Sequence, residues 1–265
     1  MELREAILKR RTTNGHFRPD PVRLDHQHRL MEAAARAPSH FNSQPWRFVL
    51  ITDPHIRAQV ARIAGSAMHR LVAEGRFVER YSRYFRFDRD EIARGDGILL
   101  DHLPSALQPL ARHALSSSGM KVLNRVGVSR TLGRDNEALV NRSPLLLAAL
   151  LTRDEYQPDD LSGFYSLLGL GMAIENIWLT TVELGMGIQF ISAPMEIPPA
   201  WQELKATLRV PSDLELMAVY RLGYLPERPE RATIDWVSGH RKRLTHFVFR
   251  DHCEAPERDP EGERA

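Results

Sequence analysis

The sequence predicts an α+β fold, a central mixed β-sheet flanked by helices, with a large helical insertion between two of its strands. Three observations predict it. Apolar runs at Phe48–Ile51, Leu145–Leu151 and Leu214–Leu222 have the length of strands, and the segments between them carry apolar residues at helical spacing. From about residue 66 to 142 the pattern changes to short amphipathic pieces broken by glycine and proline, with no convincing strand. Past residue 253 the chain is charged, proline-containing and almost without apolar residues, so 254–265 reads as a disordered tail on one domain spanning 1–253.

Composition narrows the function classes. A chain of 265 residues with 43% hydrophobic content can bury a full core without staples. Lys plus Arg number 36 against 34 for Asp plus Glu, and a net charge of +2 gives no electrostatic case for nucleic acid or an anionic membrane as partner. Cys253 is the single cysteine, which rules out an internal disulfide framework and a multi-cysteine metal site. Met1 opens directly into charged MELREAILKRR, and the longest apolar block, Leu145–Leu151, is far too short to span a bilayer. A soluble, cytoplasmic protein is expected.

The elements follow in order. Leu3, Ile7 and Leu8 mark a first helix over 2–10 that ends in the polar RRTTNG. A second helix covers 24–37, with Asp25 as candidate N-cap and Leu30, Met31, Ala34 and Ala35 on its buried side. His26 and His28, two apart, cannot share a helical face and do not make a zinc pair. Pro38 breaks that helix into a polar loop, Ser39-His40-Phe41-Asn42-Ser43-Gln44, before Pro45-Trp46 enters the first strand. Asp53-Pro54 reads as N-cap and first residue of a third helix bearing Ile56, Val60 and Ile63. Within the insertion, Arg76, Arg80 and Arg83 form a stripe beside Phe77, Tyr81 and Tyr84, either a lid face for an anionic substrate or a solvated helix face with its aromatics turned in. Leu145–Leu151 reads as a central strand buried on both faces, and a long helix covers about 164–184 until Gly185 ends it. Gly169-Leu170-Gly171 lacks the third glycine of a dinucleotide fingerprint and sits inside that helix, so its small residues suit close helix approach instead. A strand then leads to Ile191-Ser192-Ala193-Pro194, Pro198-Pro199 opens a short helix, and Leu214–Leu222 is the last strand. The basic run His240-Arg241-Lys242-Arg243 follows a polar connector.

Five stretches together resemble the FMN-dependent nitroreductase family, two of them being Gly185–Pro194, similar to its Gly-Leu-Gly segment, and Leu222–Pro226, similar to its Leu-Gly-Tyr-Pro strand end with one inserted residue. APSHFNSQPWRFVLI is similar to that family's APSxxNxQPW segment, RRTTNG followed by Phe17 and Pro19-Asp20-Pro21 is similar to its Arg-Arg-Ser-x-Arg opening, and HRKRL is similar to its basic-x-basic-Leu segment. Thr12 replaces the usual serine, Asn14 stands where a second basic residue is common, and Ser192-Ala193-Pro194 replaces a turn that is often glycine.

The resemblance implies an FMN-dependent oxidoreductase in which reduced nicotinamide, NADH or NADPH, passes hydride through flavin to a small electron-poor acceptor such as a nitroaromatic, quinone or enone. It implies a homodimer with FMN between subunits. Arg10, Arg11, Arg241 and Arg243 are then candidates for the phosphate, and Thr12 and Asn14 for the ribityl chain and its surroundings. Pro38, Ser39, His40, Asn42 and Gln44 are candidates to line the isoalloxazine from one subunit, and Ile191, Ser192 and Ala193 from the other. No side chain of this chain is expected to be catalytic in its own right, because no acid, base or nucleophile motif is present and a flavin carries the electrons. The alternatives are a reductive dehalogenase or flavin-consuming enzyme of the same fold, or a flavin-storing protein without turnover.

Overall fold

The computed structural model describes residues 1–87, 89–99, 112–113, 115–228 and 240–253. The sheet is laid down by β1 (Trp46–Ile51), β4 (Leu145–Thr152), β5 (Met186–Phe190) and β6 (Leu214–Tyr224), in the order β1-β4-β6-β5. The expected α+β architecture is present. Its three strand pairings are all antiparallel, so the sheet is more uniform than the mixed one the sequence suggested.

The apolar run of β4 explains the layering. Leu145, Leu147, Ala149 and Leu151 face a core shared with α2 (Leu24–Ala35) and α7 (Leu161–Glu183), through Leu30, Ala34, Ala173, Ile174 and Ile177. Leu146, Ala148 and Leu150 face the opposite core, with Val60, Ile63, Ala64 and Ala67 of α3 (Pro54–Ala73) and Leu204 of α9 (Pro198–Thr207). A strand with helices on both sides has no polar face to offer, which is why its sequence does not alternate. α3 starts as expected, with the Asp53 carboxylate accepting from the His55 and Ile56 amides and Pro54 at its first turn. Asp25 is not an N-cap: the cap of α2 is Arg23, whose guanidinium pairs with the Asp25 carboxylate at 2.9 Å.

The insertion departs furthest from expectation. It holds α4 (Arg76–Tyr81), α5 (Ser117–Arg125) and α6 (Val128–Asn141), and also a small parallel pair, β2 (Phe85–Arg86) with β3 (Ile98–Leu99). Strands of two residues leave no periodicity to read. Gly65 and Gly133, which look like breakers, lie inside α3 and α6 and let the helix backbones touch. A Cβ on Gly133 would come within 2.9 Å of the Gly65 carbonyl and of the His69 Cβ. Gly133→Val should therefore destabilise the fold by about 1–3 kcal/mol, read as a lower urea midpoint. The disordered tail expected at 254–265 lies outside the described residues.

Candidate flavin site

The N-terminal arm comes first. α1 (Leu3–Lys9) leads into Arg10–Phe17, which crosses the free edge of β5 and the end of β6. The Thr13 amide donates to the Ile188 carbonyl at 3.1 Å and the Arg18 amide to the Tyr224 carbonyl at 2.9 Å. Gly187 and Gly223 make room for this crossing, because a Cβ on either would fall into the Thr13 or Phe17 side chain. The arm is thus clamped while its charged residues stay accessible: Arg11 and Thr12 are exposed, and the Arg10 guanidinium lies 5.2 Å from the Trp178 ring centroid with Glu175 at 3.6 Å. Trp178 Nε1 donates to the Arg11 carbonyl at 3.2 Å, so α7 fixes the outer end of the arm. Asn14 turns inward, its Oδ1 accepting from Gln189 Nε2 at 2.8 Å.

The polar loop is the second group. Ser39 Oγ accepts from the Gln44 amide at 3.0 Å, and Gln44 Nε2 donates to Asn42 Oδ1 at 3.0 Å. Phe41, Asn42 and Gln44 have φ of 46°, 57° and 48°, a run of left-handed residues that the flanking prolines and these bonds hold in place. The His40 ring stacks on Tyr165 of α7 at 4.1 Å and 7°, leaving Pro38, His40, Asn42 and Gln44 exposed. Gly169 is used here, within the chain: a Cβ on it would meet Trp46 at 3.4 Å and the Pro38 carbonyl at 3.5 Å.

The third group follows β5. Ile191 and Ala193 are buried at 5% and 2%, so only Ser192 of this trio presents its side chain to solvent. Ile191 is tied by its amide to the Val219 carbonyl at 2.8 Å. Glu196, at the end of α8 (Ala193–Glu196), reaches the insertion, where Tyr81 Oη donates to it at 2.5 Å and Arg80 lies at 3.1 Å. Burial and that carboxylate push the Tyr81 phenol up to about 12, so it remains a proton donor at any physiological pH. The stripe divides accordingly. Phe77 packs inward, Arg76 pairs with Glu74, Arg83 stacks on Tyr84, and Arg76, Arg80, Arg83, Tyr81 and Tyr84 line a cleft of about 570 Å³.

The fourth group, His240–Arg243, lies against the insertion. His240 Nε2 contacts the Asp96 carbonyl at 3.0 Å, Lys242 pairs with the Asp96 carboxylate at 3.6 Å, and Gly95 leaves space for the Arg241 backbone. Asp96 also binds Arg86, and this guanidinium holds its carboxyl below the usual range. Arg10 pairs with Glu175 and Lys242 with Asp96, and the side chains of Arg241 and Arg243 are exposed.

The loop and the arm rest on one helix, at Tyr165 and Trp178. Thirteen residues of helix at about 1.5 Å each put these anchor points about 20 Å apart. A face of α7 between and beyond them is apolar and open: Leu161, Phe164, Leu167, Leu168 and Met172 are 41–66% exposed. The donor set suits a flavin mononucleotide. Two guanidinium groups and a hydroxyl on a fixed arm match a phosphate, and a pre-shaped polar loop beside an open apolar face matches a flat heterocycle.

The model of the nitroreductase family matches residues 7–224. The chain belongs to that family. Among curated relatives it is 38% identical over 69 residues to the NADH dehydrogenase of Thermus thermophilus, covering 26% of this chain and 33% of that one, so the match spans about a third of the relative's length. It is 29% identical over 147 residues to protein DrgA of Synechocystis, covering 51% of this chain and 70% of that protein. An iodotyrosine deiodinase solved with FMN and 3-iodo-L-tyrosine has the same fold, with a TM-score of 0.51 at 20% identity over 88% of this chain and 97% of the other. No described helix is long and apolar enough to cross a membrane. Sequence reasoning passed over Arg221, Gln189, Glu196 and Tyr165, and the one signal available was an arginine in the interior of a largely apolar β6, whose other charged residue, Glu215, sits near its start.

Proposed function

We propose that the protein is an FMN-dependent oxidoreductase that passes hydride from NADH or NADPH to an electron-poor small molecule such as a nitroaromatic, quinone or enone, working as a homodimer with FMN at the subunit seam. The observation that carries this reading is the separation of arm and loop along α7, with an open apolar helix face between them. The loop of one chain is thus remote from its own arm, their anchor points lying about 20 Å apart along α7. A second copy related by a two-fold axis through that face sets the loop of one subunit against the arm of the other.

In this arrangement Arg10 and Arg11, joined by Arg241 and Arg243, neutralise the phosphate, and Thr12 and Asn14 position the ribityl side. Pro38, Ser39, His40, Asn42 and Gln44 line one face of the ring, and the backbone at Ile191, Ser192 and Ala193 approaches the other, since two of those three side chains point into the core. Pro194 has no N–H and cannot donate there. Bound flavin would supply the electron acceptor and donor that no side chain here provides. The chain supplies placement, neutralising charge and exclusion of water. Through Tyr81 and Glu196 the insertion is fastened next to Ala193, so it stands where a cover over the acceptor would stand.

Purified protein should be yellow and dimeric. NADH or NADPH should bleach the flavin under anaerobic conditions, and a quinone or nitroaromatic should restore the colour over many cycles. Bleaching that no acceptor reverses would leave the storage reading; a colourless protein indifferent to added FMN would end both.

A further inference from the structure

Arg221, near the C-terminal end of β6, is 1% exposed and heads the largest fully buried side chains of the chain. Its hydrogen-bond and ring partners among the described residues are neutral. Nε donates to Gln189 Oε1 at 2.5 Å, Nη2 donates to the carbonyls of Thr13 and Gly15 at 2.7 and 2.9 Å, and the guanidinium lies 4.7 Å from the centroid of the Phe17 ring. Nη1 is buried without a hydrogen-bond partner, and no carboxylate among the described residues pairs with the group. Buried cations are ordinarily matched by an anion, because a low-dielectric surrounding makes an unmatched charge costly. Burial pulls this guanidinium down to about 9, which still leaves it a cation at neutral pH. The unmatched charge is bonded to Thr13 and Gly15, on the same arm that presents Arg10 and Arg11.

We propose that Arg221 is a positioning residue for anion binding by the arm: it fixes the backbone at Thr13 and Gly15, orients Asn14 through Gln189, and supplies from beneath the positive potential that a bound phosphate neutralises. The identity of the phosphate as that of FMN rests on the functional reading above; the charge deficit does not. The role differs from a purely structural one in a measurable respect. Loss of scaffolding weakens every ligand of the site, whereas loss of unmatched charge weakens the phosphorylated ligand selectively.

The test uses the full-length protein with FMN, riboflavin and inorganic phosphate as probes, in wild type and in Arg221→Met, Gln189→Glu and Gln189→Met. Gln189→Glu leaves Arg221 in place but gives it the missing anion, so it stays informative if Arg221→Met does not fold. Wild type should bind FMN more tightly than riboflavin by fluorescence titration. Arg221→Met and Gln189→Glu should each reduce that preference at least tenfold, any loss of riboflavin affinity from the loosened arm being at least tenfold smaller than the loss for FMN, while Gln189→Met keeps the preference. Equal losses for both flavins, or an unchanged preference in Gln189→Glu, would overturn the proposal. Should wild type bind neither flavin, the FMN reading falls, and phosphate decides the inference by itself. Millimolar phosphate should then raise Tm relative to chloride at equal ionic strength in wild type and Gln189→Met but not in the other two, and no phosphate effect in wild type would refute it.

Discussion

Arg10→Glu should give a folded protein whose affinity for FMN is lower by about a hundredfold or more. A bidentate guanidinium–phosphate contact is worth about 1.5–3 kcal/mol, and reversing the charge adds repulsion to that loss, at about 1.4 kcal/mol per tenfold. Arg10 is positioned for this task by stacking on Trp178 and by Glu175. Because the stacking also contributes to packing, Arg10→Gln serves as the companion: it should lose roughly the attractive part alone, with thermal stability close to that of Arg10→Glu. Fluorescence titration of added FMN reads both. Arg243→Glu belongs in the same series, since Arg243 is exposed and follows Lys242, which pairs with Asp96 of the insertion. Stoichiometric FMN retained by Arg10→Glu and Arg243→Glu alike would remove the arginines from phosphate binding.

The second large effect is expected on the open face of α7. Phe164 and Leu168 are 57% and 50% exposed and lie one turn apart on that helix. Two-fold symmetry places each residue in the seam twice, and a central apolar anchor contributes about 2 kcal/mol or more to an interface. Phe164→Asp with Leu168→Asp should thus weaken association by about a thousandfold or more and turn a dimer into a monomer at micromolar concentration by analytical ultracentrifugation. The monomer should also be colourless, because its arm loses the partner's loop while its own is anchored about 20 Å away along α7. A monomeric variant that still binds one FMN per chain would show that a single chain suffices.

Much of this architecture was legible from residue order alone, for physical reasons that differ by element. β4 is bracketed by proline and polar residues and buried on both faces, so an unbroken apolar run identified it. α7 was visible from its apolar recurrence, and Gly185 ended it with a left-handed φ of 64°, as a glycine there does. The arm and loop were readable because arginine pairs, hydroxyls and prolines concentrate there. What could not be read depended on contacts across the chain. Gly133 looks like a breaker until α3 is seen lying against it. β2 and β3 exist through tertiary support, with Arg86 bound to Asp96. Arg221 appears as one of two charges in a strand, and only the fold reveals that, unlike the ion-paired Glu215, it is sealed in with neutral hydrogen-bond partners.

The way the arm crosses β5 has a consequence for solubility. β5 is the outer strand of the sheet, and an outer strand with free carbonyls and amides is a template on which another chain can extend the ladder. The Thr13 amide occupies one of those carbonyls, at Ile188, and the Arg10–Phe17 backbone lies along the rim. On the proposed reading, the segment that would present cations to the flavin phosphate is also the cap on that border, so substitutions in Arg10–Phe17 are expected to change colloidal behaviour and cofactor affinity together.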